Sequence, residues 1–184
     1  MFVEIEAKLK VDSHGPVEKK LAEFDAEFIS EQFQTDYYLD DTKRTLTKGD
    51  KCLRIRLERV GKSEQFFVAY KGPKEKAEFK KRQEAEIQIT DADAAEKIFT
   101  ELGYRKAIVV EKKRRLYRLG HCYVALDDLP ELGTFVEIEG PDAGQISEVQ
   151  NSLGLVKLPH IVESYATLME IELRKGRPPG KTGG

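Results

Sequence analysis

Residues 3–11 read Val3-Glu4-Ile5-Glu6-Ala7-Lys8-Leu9-Lys10-Val11, with an apolar side chain at every odd position and an ionised one at every even position. Successive side chains of a β-strand point to opposite faces, so this alternation predicts a strand with one apolar and one charged face. A single strand of this kind would lie half exposed, with its charged face in water. The rest of the chain repeats the pattern, and the repetition points to the fold.

The same alternation returns in three further segments, at residues 53–58, 82–89 and 135–139. Turns containing glycine separate the β-rich segments. The shorter β-rich runs are residues 65–71, 109–119 and 122–127. Together these segments predict seven or eight strands, joined mostly as hairpins in an antiparallel sheet.

Four amphipathic segments predict helices that bury their apolar sides against the sheet. The first carries an apolar stripe at Val17, Leu21, Phe24 and Phe28. The others are residues 91–102 with Thr90 as cap candidate, residues 145–153, and residues 164–173 with Ser164 as cap. We therefore expect one α+β domain over residues 1–175, followed by a flexible Gly/Pro-rich tail at residues 176–184.

Composition restricts the possible function classes. The chain has 184 residues, with 31 Lys and Arg against 33 Asp and Glu, a net charge of −2. This balance argues against a general nucleic-acid or membrane-surface binder, which would carry a cationic excess. Cys52, Cys122 and the scattered histidines show no metal-ligand or catalytic-triad spacing. With neither a secretory signal nor an apolar run of about 20 residues, the sequence predicts a cytoplasmic protein.

The charged strand faces are more ordered than a solvated surface requires. Three Glu-x-Glu pairs, at 4/6, 84/86 and 137/139, each place two carboxylates roughly 6.5–7 Å apart on one side of a strand. Arg54 and Arg56 form a similar pair, and a guanidinium fork suits phosphate. Closure of the sheet into a barrel would gather these faces into a lumen that suits a divalent metal with a polyphosphate. A fourth pair, Glu170 and Glu172, is excluded because residues two apart on its predicted helix diverge by about 200°.

The order of these motifs resembles the CYTH superfamily of triphosphate tunnel enzymes, and within it the class IV (CyaB-type) adenylyl cyclase group. The resemblance covers nearly all of residues 1–175. The matching elements are ExExK at 4–8, QxDxY at 34–38, LRxR at 53–56, YKGP at 70–73, RxExE at 82–86, KxRxxY at 112–117, LD at 126–127, LGxFxEIE at 132–139 and SY at 164–165. One such motif is weak evidence, but all of them in order make a chance match very improbable.

The resemblance implies an eight-stranded antiparallel closed β-barrel with helices packed outside, whose lumen binds a triphosphate with two Mg²⁺ or Mn²⁺ ions. Carried over by position, the metal ligands would be Glu4, Glu6, Glu137 and Glu139. The groups that bind phosphate and act in catalysis would be Lys8, Arg54, Arg56, Lys71, Lys112 and Arg114. Asp127, a further catalytic candidate, and the substrate-binding candidates Arg82, Glu84 and Glu86 would also line the tunnel.

The register of one strand is ambiguous from the residues alone. Residues 112–115 (KKRR) offer two alternating pairs on opposite faces, and a slip of one residue would exchange them. Outward positions for Val109, Tyr117 and Leu119 favour Lys112 and Arg114 inside. Lys113 and Arg115 would then lie on a solvated outer face.

Other residues near these motifs have ordinary structural explanations. Gln34, Asp36 and Tyr38 are either site residues or plain strand residues, and the sequence leaves that open. Tyr165 is expected to be a buried helix anchor. Residues 74–82 are expected to form a solvated loop and strand entry, with its last residue able to face the lumen.

Three functions compete at this point. The first is a class IV adenylyl cyclase that converts ATP to cyclic AMP and pyrophosphate, and the second is a hydrolase acting on tripolyphosphate, thiamine triphosphate or a nucleotide in the same lumen. The third, a non-catalytic RNA or polyanion binder, is disfavoured because the Glu-x-Glu pairs would repel a phosphate backbone. We therefore expect a triphosphate substrate, no nucleic-acid or membrane partner, and a possible homodimer.

Overall fold

Eight antiparallel strands form a closed barrel in the computed structural model, which describes residues 2–175. The strands are β1 (Phe2–Val11), β2 (Glu27–Asp40), β3 (Cys52–Val60), β4 (Ser63–Lys71), β5 (Lys80–Ile89), β6 (Arg105–Leu119), β7 (Cys122–Leu129) and β8 (Gly133–Glu139). Their order around the barrel is β1-β5-β4-β3-β2-β6-β7-β8, and β8 pairs with β1 to close it. The predicted barrel is confirmed, whereas the predicted tail at residues 176–184 lies outside the described residues.

The alternation in β1 separates the outer core of the barrel from its lumen. Ala7 and Leu9 are buried on the outside, where they pack with Val136 of β8. Glu6, on the opposite face, lies beside Glu139 across the same pair of strands. An eight-stranded barrel has room inside only for side chains or one small ligand. The ionised residues are thus confined to a narrow interior.

Within the described range, helices cover two sides of the barrel. The helices are α1 (Gly15–Glu23), α2 (Thr45–Lys48), α3 (Ala92–Glu101), α4 (Ala143–Ser152) and α5 (Tyr165–Lys175). Leu21 of α1 and Ile146 of α4 belong to the core cluster outside β1, β7 and β8. Phe99 of α3 packs on the cluster outside β2 and β3. No helix within residues 2–175 has the length and hydrophobicity that a membrane-spanning helix requires.

The last helix, α5, lies over one end of the barrel. Its residues Tyr165 and Met169 pack with Ile108 and Val110, which share the inward face of β6 with Lys112. The barrel interior is therefore apolar under α5 and charged further in. This arrangement puts a side chain of the C-terminal helix next to the charged lumen.

The first helix ends sooner than its apolar stripe predicted. Val17 and Leu21 are buried as expected, but Phe24 lies beyond the helix and is exposed. Asp25 adopts a left-handed φ of 51°, which a right-handed helix cannot continue. The chain then enters β2, so Phe28 is an exposed strand residue and its prediction as a helical residue is wrong.

The helix caps were predicted with mixed success. Ser164 begins α5 as expected, because its hydroxyl accepts from the backbone N–H of Thr167 at 3.2 Å. The predicted cap Thr90 is wrong by one residue, since the Asp91 carboxylate accepts from the Ala94 backbone N–H at 2.8 Å. An Asp in extended conformation is a strong N-cap, and here Asp91 caps the helix in place of the neighbouring threonine.

Candidate active site

The inward faces of the strands enclose a charged cavity of about 210 Å³. Every predicted site residue except Asp127 lies on its wall. These residues are Glu4, Glu6, Lys8, Arg54, Arg56, Lys71, Arg82, Glu84, Glu86, Lys112, Arg114, Glu137 and Glu139. Closure of the barrel thus brings together ionised side chains from β1, β3, β4, β5, β6 and β8.

Lys71 of β4 links carboxylates on two other strands. Its Nζ donates to Glu4 Oε1 at 2.7 Å and lies 2.7 Å from Glu84 Oε2. Arg82 Nε donates to the other oxygen of Glu4 at 3.2 Å. Burial alone would raise the pKa of Glu4, but Lys71, Lys80 and Arg82 hold that pKa well below its usual value. Glu4 is therefore ionised at neutral pH.

Lys80 is a cavity residue that the sequence reasoning missed. It begins β5, is 8% exposed, and its Nζ donates to Glu6 on β1. The prediction of a solvated loop and strand entry over residues 74–82 is wrong at Lys80, because this side chain is buried on the cavity wall. The available signal is the spacing of Lys80, Arg82 and Glu84, which puts all three on one strand face.

Asp36 of β2 holds the two arginines of β3. Its oxygens accept from Arg56, from Nε at 2.6 Å and from a terminal nitrogen at 2.9 Å. Arg54 lies 3.7 Å from the same carboxylate and donates to Glu86 at 3.0 Å. Burial alone would raise the pKa of Asp36, yet Arg56 and Arg54 hold it far below its usual value. Two fixed guanidinium groups therefore face the cavity.

The β2 residues whose roles the sequence left open occupy different positions. Asp36 is fully buried behind the arginines, whereas Tyr38 lies on the cavity wall. Gln34 is buried and its amide donates to Glu58 at 2.8 Å. Among the described residues, Gln34 Oε1 and Arg54 Nε are buried without a hydrogen-bond partner. Such groups normally find a partner, and a bound ligand or water would supply it.

Lys112 and Arg114 face the cavity, so the favoured register of β6 is the one the structure adopts. Arg114 Nε donates to Asp127 Oδ1 at 2.6 Å, and a terminal nitrogen of the same guanidinium donates to Glu137. Asp127 is fully buried and not on the wall, because its short side chain lies opposite Arg114 and the longer guanidinium covers it. Burial, together with the nearby charge of Arg114, lowers the pKa of Lys112 to about 7.

The alternate residues of β6 lie outside the barrel. Lys113 forms an exposed ion pair with Glu31 at 2.9 Å. Arg115 is half-buried, donates to Glu18 and lies within hydrogen-bonding distance of His14 Nδ1. Lys113 therefore lies on a solvated outer face, as expected. The same expectation is wrong for Arg115, which links β6 to α1.

Tyr165 is buried, as expected of a helix anchor, but its side chain also forms part of the cavity wall. Its hydroxyl donates to Asp127 at 2.9 Å. The ammonium groups of Lys8 and Lys112 lie over its ring, 4.0 and 4.7 Å from the ring centre. The other wall residues outside the predicted set are Phe2, Tyr38, Cys52, Lys80 and Ser164. The uncharged residues among them carry no alternating charge pattern that sequence analysis could detect.

The carboxylates predicted to bind metal lie on the adjacent strands β1 and β8. Within residues 2–175, no three His, Cys, Asp or Glu side chains converge closely enough to hold a metal ion by themselves. Mg²⁺ is usually held by one or two carboxylates, with water and substrate phosphates completing its coordination, so this donor set fits. Burial, followed by the charges of Glu4 and Glu6, raises the pKa of Glu139 to about 7. A cation here would relieve that crowding of negative charge.

Comparison with known proteins identifies the family. Residues 3–152 match the CYTH domain family, and the chain belongs to it. A Methanocaldococcus jannaschii protein, named provisionally as an adenylate cyclase, is 35% identical over 138 residues, 75% of this chain and 77% of that one. Adenylate cyclase CyaB of Aeromonas hydrophila is 31% identical over 180 residues, 92% of this chain and 90% of its own.

Solved structures show the same barrel. The PH1819 protein of Pyrococcus horikoshii is 29% identical and superposes with a TM-score of 0.78, covering 91% of this chain and 99% of its own. HpAC1 from Hippeastrum, provisionally an adenylyl cyclase and described as revealing a dominant triphosphatase activity, has a TM-score of 0.64 at 17% identity. That alignment covers 96% of this chain and 98% of HpAC1, and at this identity it shows the fold alone.

Proposed function

We propose that this CYTH enzyme is a metal-dependent adenylate cyclase that binds the triphosphate of ATP in the barrel cavity and forms cyclic AMP and pyrophosphate. The observation that carries the proposal is the convergence of buried lysines and arginines with ionised glutamates on one small cavity. The names of the Methanocaldococcus and Aeromonas relatives support the choice of reaction. A cytoplasmic location and a homodimer stay predictions from the sequence.

The cavity cations would bind the phosphate chain by exchanging carboxylate partners for phosphate oxygens. Lys71 contacts two glutamates, and Arg54 contacts Glu86 at the cavity wall. Charge-assisted hydrogen bonds from guanidinium and ammonium groups to phosphate are stronger than neutral ones, and arginine can make them in pairs. These groups are held in place by the barrel before the substrate arrives. Such positioning and neutralisation of charge can account for catalysis without a histidine base.

We propose Glu4, Glu6, Glu137 and Glu139 as the residues that hold Mg²⁺ or Mn²⁺. A bound divalent ion would neutralise phosphate charge and lower the pKa of the ribose 3′-hydroxyl. In the reaction the 3′-oxygen forms a bond to the α-phosphorus, and the bond from that phosphorus to the bridging oxygen breaks. Pyrophosphate leaves with the electron pair, and the hydroxyl proton is released. The cations on the opposite wall would stabilise the charge that develops on the departing pyrophosphate.

A hydrolase that acts on tripolyphosphate or another triphosphate is the second candidate, and the size of the cavity favours it. Its volume of about 210 Å³ lies below the roughly 300–1,000 Å³ of pockets that enclose drug-sized ligands. The cavity suits a phosphate chain, while a nucleoside would extend beyond it. The activity described for HpAC1 belongs to the same fold. Both reactions would use the same phosphate-binding residues.

A product analysis distinguishes the two reactions. The purified protein is incubated with ATP or tripolyphosphate, each with Mg²⁺, Mn²⁺ or EDTA, and products are resolved by ³¹P NMR and mass spectrometry. We expect cyclic AMP and pyrophosphate from ATP in both metals and none in EDTA. Orthophosphate without cyclic AMP would replace the cyclase with the triphosphatase. Absence of turnover on either substrate in either metal would contradict both.

The metal-binding proposal predicts that Glu4→Gln loses at least about 100-fold of the metal-dependent turnover, since charge stabilisation by a divalent ion is worth several kcal/mol. The matched control is Glu172→Gln, which alters the exposed glutamate of the Glu-x-Glu sequence on α5 and should keep full activity. Circular dichroism would check that both variants are folded. Wild-type turnover by a folded Glu4→Gln variant would remove Glu4 from the metal site.

A further inference from the structure

The ring of Tyr165 contacts two of the buried lysines in the cavity. The Lys8 ammonium lies 4.0 Å from the ring centre and the Lys112 ammonium 4.7 Å from it. All three side chains are almost completely buried, and the two lysines come from β1 and β6. Tyr165 itself lies at the start of α5, after residues 3–152 that match the CYTH domain family and within the SY element at 164–165. One residue of the terminal helix thus reaches cations on two separate strands.

An aromatic face stabilises a buried ammonium differently from a carboxylate. The negative face of the ring attracts the cation but offers no oxygen acceptor, so the N–H donors remain available. Lys112 needs such support because its nearest carboxylate, Asp127, is 3.7 Å away and already accepts two hydrogen bonds from Arg114. A stronger ion pair would hold Lys112 equally well, but it would compete with a phosphate for the same donors.

The hydroxyl of Tyr165 makes a separate hydrogen bond. It donates to Asp127 Oδ2 at 2.9 Å, the same carboxylate that binds Arg114. Glu163, two residues before Tyr165, also contacts Lys8. Its backbone carbonyl accepts a hydrogen bond from Lys8 Nζ at 3.1 Å. Residues 163–165 therefore contact the two lysines through a carbonyl and a ring face, and the Asp127 carboxylate through a hydroxyl.

We propose that Tyr165 is a positioning residue for phosphate binding, which orients Lys8 and Lys112 toward the cavity without occupying their donors. The proposal rests on the proposed function, in that the cavity binds a triphosphate. The ring face, and not the hydroxyl, supplies most of the effect.

Isothermal titration calorimetry with tripolyphosphate in EDTA measures this effect without turnover. We expect Tyr165→Leu to raise the dissociation constant about tenfold, because two cation–π contacts are lost. Tyr165→Phe keeps the ring and should bind within about twofold of the wild type. The matched control is Met169→Ala, which removes a side chain from the same apolar cluster of α5 but no contact to a lysine. It should lower the melting temperature and leave the dissociation constant unchanged.

The outcomes separate this inference from the proposed function. Equal weakening of binding in Tyr165→Phe and Tyr165→Leu, or unchanged binding by Tyr165→Leu, overturns the role of the ring while the proposed function stands. Failure of the wild-type protein to bind tripolyphosphate overturns both. Tyr165→Met, which fills the space with an unbranched and non-aromatic side chain, replaces the Leu variant if thermal melting shows that variant to be unfolded. The same tenfold loss is then expected.

Discussion

The two faces of β6 carry the same kinds of residue and use them differently. Lys112 and Arg114 point into the cavity, whereas Lys113 and Arg115 point out of the barrel. Each of the four has an acidic neighbour, so the presence of an ion pair does not tell them apart. What differs is the surrounding medium, because the inner partners are buried in protein and the outer ones meet water. The same residue types on one strand therefore line the cavity on one side and make contacts at the protein surface on the other.

The energetic consequences of the two faces differ in size. Removing one partner of a buried pair leaves an uncompensated charge and costs about 3–5 kcal/mol. An exposed pair contributes about 0.2–1 kcal/mol, and salt screens it. Asp127, which is fully buried against Arg114, belongs to the first kind. The pair of Lys113 and Glu31, with each side chain 42% exposed, belongs to the second.

The largest effect is expected from Arg114→Met. This change leaves Asp127 buried beside Lys112 at 3.7 Å as its remaining cation, so we expect the free energy of unfolding to fall by about 3–5 kcal/mol. Turnover should also be lost, because the guanidinium faces the cavity. Urea unfolding and product assays measure the two effects.

A second substitution separates stability from activity in this variant. Adding Asp127→Asn removes the uncompensated charge, so the double variant should regain much of the lost stability but no activity. If Arg114→Met is as stable as the wild type, the inner pair does not differ from the outer one. If the double variant regains turnover, Arg114 is not a substrate-binding group.

An effect of intermediate size is expected on kcat/KM as Lys112 loses its proton. Burial and the Arg114 charge lower its pKa to about 7, so the side chain is cationic below that pH and loses its charge as the pH rises. Since a triphosphate prefers the charged form, kcat/KM should fall as the pH rises through about 7. The arginine side chain in Lys112→Arg stays charged throughout this range, so the fall in kcat/KM near pH 7 should be absent from this variant. If kcat/KM of Lys112→Arg still falls as the pH rises through about 7, the fall belongs to the titration of another group.

The smallest effect is expected from Lys113→Ala on the outer face. Loss of its exposed pair with Glu31 should change the free energy of unfolding by less than about 0.5 kcal/mol and leave turnover at the wild-type value. The measurements are the same as for Arg114→Met, which makes the two variants a matched pair. A loss of turnover with Lys113→Ala would mean that the assignment of inner and outer faces is wrong.

The strands and their inward residues could be predicted from the sequence because the side-chain period of a strand is two. In β1, one apolar and one ionised series decide which face meets the helices. The same logic favoured the correct register for the run at residues 112–115, where the outward apolar residues pointed to Lys112 and Arg114 inside. Helix ends were harder, because Asp25 and Asp91 act through local backbone geometry that competes with the apolar period.

The depth of each site residue could not be predicted in this way. Asp127 and Arg114 share an inward face, yet the structure buries the shorter side chain beneath the longer one. Lys80 was missed because a lysine-rich approach to a strand resembles a solvated loop. Tyr165 was predicted to be buried, but its contact with Lys8 and Lys112 depends on where α5 docks, and no spacing within the helix encodes that position.

The alternation along each strand specifies its charged series, and therefore the set of groups that a closed barrel would enclose. Local periodicity suffices for this, because the chemistry of each face repeats along a single strand. The closed barrel and its docked helix set which cation meets which carboxylate, which acid is covered, and that a ring from α5 contacts two lysines. Those relations join residues far apart in the chain, and they exist only once the barrel has closed and its last helix has docked.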